Sequence, residues 1–100
     1  MYLQKFRVDQ RTAFITGGGR GIGLATAEAL AEGGARVIIS DMNATTLAEG
    51  AAYLKSKGYD AATMLLDVTD SAACTQAAEE ANRTYGAVDI LIANAGIARP

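Results

Sequence analysis

Nine residues, Ile15 to Gly23 (ITGGGRGIG), contain five glycines. Glycine loses more backbone freedom on folding than any other residue, so this concentration needs a reason. Gly17, Gly21 and Gly23 are spaced G-x-x-x-G-x-G, after an apolar run and before an alanine-rich one. Such a strand-to-helix turn leaves the first N–H groups of the helix without intrahelical partners. They carry partial positive charge and attract an anion such as a diphosphate. Side chains would hold that anion away, whereas glycine lets the main chain meet it. On this reading Gly17 makes the tight turn, Gly21 gives close backbone approach and Gly23 gives helix-to-strand contact. The spacing is not G-x-G-x-x-G, and no Gly-Lys-Ser/Thr follows as in a nucleotide-hydrolysing P-loop. A purely structural tight turn is the alternative.

Three later groups extend the chemistry. Asp41 stands eighteen residues after Gly23, near the offset of about 20 at which an acidic residue accepts from a ribose 2′-hydroxyl. Facing a 2′-phosphate instead, it would be repelled by about 4 kcal/mol per unit charge at about 4 Å and an effective dielectric of about 20. Arg20 pulls the other way, because a guanidinium can clasp such a phosphate. It can equally pair with Asp41 or lie in solvent. The repulsion is the larger effect and favours NAD over NADP. The plain alternative for Asp41 is a strand-end or helix-capping carboxylate. Asp67 can accept from an adenine amino group while Val68 packs on the ring; the alternative is a polar turn. Asn94-Ala95-Gly96 leaves room for a flat ring and its ribose, or is simply a turn.

These groups need elements to hold them. Four short apolar runs recur at Thr12–Thr16, Arg36–Ser40, Thr63–Leu66 and Asp89–Ala93. None alternates polar with apolar, so each reads as a strand buried on both faces of a parallel sheet. Amphipathic stripes between them predict helices over about Gly21–Glu32, Ala44–Lys57 and Asp70–Tyr85. Asn43 and Thr69 are placed to cap the second and third helices, and Gly33-Gly34, Gly58 and Gly86 to end the three. The order is βαβαβαβ, an α/β fold. The four chemical groups all fall just past strand ends, where open parallel sheets bind ligands.

Composition narrows the function further. The 100 residues carry a net charge of −2, with nine Lys and Arg scattered along the chain. That gives no footprint for nucleic acid. There is one cysteine, Cys74, and no histidine, so neither a disulfide nor a metal site is expected. Cys74 reads as a small core residue. No secretory leader pattern and no membrane-spanning run is visible, and a cytoplasmic location is expected.

Taken in order, Thr16-Gly17-Gly18-Gly19-Arg20-Gly21-Ile22-Gly23, Asp41, Asp67-Val68 and Asn94-Ala95-Gly96 resemble the cofactor half of the short-chain dehydrogenase/reductase family, over the whole chain. The resemblance implies a Rossmann-type doubly wound parallel sheet in three α/β/α layers, incomplete here at about four strands and three helices. It implies that residues 1–100 form the amino-terminal part of an NAD(P)-binding domain. Gly17, Gly19, Arg20, Gly21, Ile22 and Gly23 would surround the pyrophosphate, with Asp41 and Met42 at the adenosine ribose. Asp67 and Val68 would frame adenine, and Asn94, Ala95 and Gly96 would line the nicotinamide-side ribose. Ala93 stands where the family usually has a first asparagine. The family's Ser and Tyr-x-x-x-Lys lie past the fourth strand, so the catalytic part is expected beyond residue 100. Tyr53-Leu54-Lys55-Ser56-Lys57 matches the Tyr-x-x-x-Lys pattern but falls on a crossover helix, away from the crevice.

The implied activity is hydride transfer between NAD and a secondary alcohol or ketone, leaning toward sugar alcohols, with the 100 residues inactive alone. The implied partners are the dinucleotide, a small alcohol or ketone, and further copies in a homo-tetramer or dimer, with no nucleic acid or membrane. The rivals are a non-catalytic dinucleotide sensor, an S-adenosylmethionine-dependent methyltransferase and a piece that folds and binds nothing.

Overall fold

The computed structural model describes residues 10–93. Over them the chain runs β1 (Thr12–Thr16), α1 (Gly21–Glu32), β2 (Arg36–Asp41), α2 (Ala44–Ser56), β3 (Ala62–Leu65), α3 (Ser71–Tyr85) and β4 (Ile90–Ala93). The four strands form one sheet in the order β3-β2-β1-β4, every pair parallel. β1 is therefore central. The chain steps from β1 to β2 to β3 in one direction, then crosses back to place β4 on the other side of β1. This reversal opens a crevice at the carboxyl ends of β1 and β4.

Alternate residues of the central strands feed two cores. Ala13, Ile15, Val37 and Ile39 face one side and pack with Ala27 of α1 and Leu47 and Leu54 of α2. Phe14 and Ile38 face the other side and pack with Leu66 and Ala81, Ala81 belonging to α3. The result is three layers, α1 and α2 on one face and α3 on the other. Burial on both faces explains why the middles of β1 and β2, residues 13–15 and 37–39, are continuously apolar.

The expectation of two-sided burial fails for β3 and β4. Every second residue of each is exposed, including Leu65 at 63% and Leu91 at 66%. These are the edge strands, and a single crossover helix on the α3 side cannot cover β4 as well as the centre of the sheet.

The helix ends follow local chemistry. Asn43 caps α2, its side chain accepting from the Thr46 N–H at 2.9 Å. Thr69, the expected cap of α3, is not one. Asp70 takes that place and accepts from the Ala73 N–H at 3.0 Å. Thr69 is drawn off by Asp67, to which both its N–H and its hydroxyl donate.

Candidate functional site

The turn from β1 to α1 sits at the carboxyl end of the central strand. Gly17 (φ 64°) and Gly21 (φ 61°) occupy the left-handed region that favours glycine. The Gly18 N–H donates to the Ser40 carbonyl at 2.9 Å, tying the turn to the end of β2. Gly19 is buried against α2, whereas Arg20, Gly21 and Ile22 are exposed and Gly23 is buried. A Cβ built on Gly21 would meet nothing within 4 Å. The turn is thus seated on one side and open on the other.

The start of α1 lacks the devices that close the other two helices. Arg20 occupies the N-cap position in an extended conformation, but among the described residues no side chain caps the first turn, and that turn carries no acidic residue. The N–H groups of Gly21, Ile22 and Gly23 belong to the set that an α-helix leaves without internal acceptors. Capping such a group is worth about 1 kcal/mol, so its omission leaves donors for something outside the helix.

Asp41 ends β2 beside this turn. Its carbonyl accepts from the Leu66 N–H at 2.9 Å, and its Oδ1 accepts from the Asn43 N–H at 3.2 Å. Among the described residues, Oδ2 takes no hydrogen bond and Arg20 makes no ion pair with Asp41. The carboxylate is therefore held in place through one oxygen and available through the other. Met42 follows it, 68% exposed.

Asp67 lies just past β3. Its Oδ1 accepts from the Thr69 hydroxyl at 2.6 Å and the Thr69 N–H at 2.9 Å. The hydroxyl bond first, then the backbone bond, holds this carboxyl below its ordinary pKa. Val68 is half-buried on the lip of an apolar groove of about 470 Å³ beneath α3, which Thr16, Leu91 and Ala93 also line. Asn94, Ala95 and Gly96 lie outside the described residues. Gly17 to Gly23 and Asp41 thus gather at one end of the sheet, with Asp67 and Val68 past the neighbouring strand.

The Tyr-x-x-x-Lys match is something else. The Tyr53 hydroxyl donates to Glu28 Oε1 at 2.8 Å, and Lys57 Nζ stands 5.6 Å from the ring centre. That hydrogen bond to the Glu28 carboxylate, which favours the protonated phenol, is the largest of the causes that push it upward from its ordinary pKa. A tyrosine working as acid and base near neutrality needs the opposite shift. This pair ties α1 to α2.

Two residues that matter to the turn escaped the sequence reading. Gly50 and Thr46, both on α2, make the backbone contacts against which Gly19 rests. The available signal was Gly50 itself, a glycine inside a helical pattern, which costs about 1 kcal/mol and calls for a packing reason.

Residues 11–100 match the sequence pattern described as short chain dehydrogenase. The chain belongs to the short-chain dehydrogenase family. It is 45% identical over 96 residues to galactitol 2-dehydrogenase of Rhizobium johnstonii, covering 96% of this chain and 37% of that protein. It is 43% identical to sorbitol dehydrogenase of Cereibacter sphaeroides over 91% of this chain and 34% of that protein. The crystal structure of 2-keto-3-deoxy-D-gluconate dehydrogenase from Streptococcus agalactiae superposes with a TM-score of 0.89 at 31% identity, over 98% of this chain and 37% of that one. This short-chain dehydrogenase chain therefore spans little more than a third of such relatives. Among the described residues no helix is long and apolar enough to cross a membrane, and no three His, Cys, Asp or Glu side chains group to hold a metal ion.

Proposed function

We propose that residues 1–100 are the amino-terminal, dinucleotide-binding part of an NAD-dependent oxidoreductase that interconverts a secondary alcohol and a ketone. The observation that carries this is the start of α1: an uncapped first turn, a glycine opening on clear space, and a half-engaged carboxylate beside it. These features fit a dinucleotide, since the anion needs bare donors and the ribose needs an acceptor.

The N–H groups of Gly21, Ile22 and Gly23 bind the diphosphate, with Gly17 and Gly19 shaping the turn and Arg20 at its mouth. Asp41 Oδ2 accepts from the adenosine ribose, and Met42 flanks it. Val68 packs on adenine, with Asp67 at its edge. Asn94, Ala95 and Gly96 serve the nicotinamide-side ribose. When bound, the nicotinamide ring supplies or takes the hydride. Proton transfer belongs to a Ser and a Tyr-x-x-x-Lys beyond residue 100. The polyol names of two relatives support a sugar-alcohol substrate. The family match favours this reading over a methyltransferase. We take the whole protein to be a homo-tetramer or dimer on the resemblance alone, with a cytoplasmic location as the default.

Calorimetric titration with NADH and NADPH tests the proposal. NADH binds at least about tenfold tighter, because Asp41 repels a 2′-phosphate more than Arg20, which is not seated against it, attracts one. Tighter binding of NADPH overturns the NAD assignment, and binding of neither overturns the dinucleotide reading.

A further inference from the structure

We infer that Gly50, midway along α2, is a positioning residue for the glycine turn and sets its distance from the Asp41 carboxylate. This rests on the dinucleotide reading and goes beyond it, because Gly50 is outside the turn and α2 carries none of the proposed ligand contacts.

The two segments touch main chain to main chain. A Cβ on Gly50 would stand 2.6 Å from the Gly19 carbonyl oxygen and 2.8 Å from its Cα. From the other side, a Cβ on Gly19 would stand 2.7 Å from the Thr46 carbonyl oxygen and 2.8 Å from its Cγ2. Real Cβ atoms essentially never approach so closely, and most of the atoms they would meet are backbone, which cannot swing aside. Any side chain at position 50 must therefore lift the turn off α2.

The same helix is anchored to Asp41. Asp41 Oδ1 accepts from the Asn43 N–H, the Asn43 side chain accepts from the Thr46 N–H, and Thr46 supports Gly19. The Gly18 N–H closes the loop onto Ser40, one residue before Asp41. The first two turns of α2 thus act as a spacer between the group proposed to hold diphosphate and the group proposed to hold ribose. Gly50 is buried, and alanine is the better helix former. A glycine kept there for helix stability alone would make no sense, whereas one kept for the seat of Gly19 does.

The test compares ADP, which carries the diphosphate, with adenosine, which does not, by NMR titration of the full chain. Gly50→Ala lowers ADP affinity about tenfold and changes adenosine affinity by less than about twofold, since small displacements of a binding group are costly. Ala48→Gly, at an exposed site on the same helix, leaves the ratio of the two affinities unchanged. Thr46→Ser trims the methyl group against Gly19 without adding volume; it lowers the ratio about twofold and decides the matter if Gly50→Ala does not fold. A Gly50→Ala chain with higher thermal stability and an unaltered ratio overturns the inference while leaving the dinucleotide reading intact. An unaltered ratio in Thr46→Ser does the same. If the unmodified chain binds neither probe, the reading of the site fails, and the role of Gly50 with it.

Discussion

The starts of α1 and α3 face the same physical problem and meet it in opposite ways. Asp70 turns its carboxylate onto the Ala73 N–H, and Arg83 sits in the last turn against the helix dipole. α2 matches this with Asn43 and Lys55. α1 has no side-chain cap, no acid in its first turn and no base in its last. Two helices satisfy their own ends and act as packing elements. The third leaves its donors free beside a glycine turn, at the point where the strand order reverses. A helix end built for packing closes itself, and one left open at such a place is arranged for an anion from outside.

The contrast can be broken in several ways. The largest effect is expected from Gly21→Val. A β-branched side chain at positive φ costs about 1–3 kcal/mol of stability, and it stands where the anion must approach. NADH affinity should fall about 100-fold, well beyond the stability loss; calorimetry with a urea melt on the same sample separates the two.

A sharper pair exchanges the roles of the two helix ends. Arg20→Asp gives α1 the carboxylate cap it lacks. It should stabilise the free chain by about 0.5–1 kcal/mol while weakening NADH binding about tenfold, because the new carboxylate occupies the donors and repels the diphosphate. Asp70→Ala should do the reverse, losing about 1 kcal/mol of stability with NADH affinity unchanged. Equal effects of the two substitutions on binding would erase the distinction between the helices.

The smallest effect concerns Asp67. Its pKa is lowered by Thr69, so the fold favours the ionised form. That contribution is present above the ordinary carboxylate range and fades as pH falls through the lowered value. Thr69→Ala removes the larger cause and should move the Asp67 titration upward, as read by carboxyl carbon NMR. No movement would mean that the backbone bond alone holds it.

Much of this was legible beforehand. The apolar runs and helical stripes located every described strand and helix to within a residue at either end, because short apolar runs bounded by turn residues and helices covered on one side leave distinct patterns. The glycine turn and Asp41 were visible because their types are unusual at strand ends. What escaped was tertiary. Whether Thr69 or Asp70 caps α3 depends on Asp67 claiming Thr69 first. The exposure of Leu65 and Leu91 depends on which strands lie at the edge. The seat of Gly19 depends on how closely α2 crosses it, and no local pattern encodes that beyond the glycine at position 50.

The central claim concerns particular hydrogen-bond donors, so amide NMR tests it most directly. On adding ADP, the N–H signals of Gly21, Ile22 and Gly23 should shift together and saturate along one binding curve, while those of Thr46 and Ala73, already engaged by Asn43 and Asp70, stay nearly still. Shifts confined to α2 and α3, or no saturable shift at the start of α1, would contradict it.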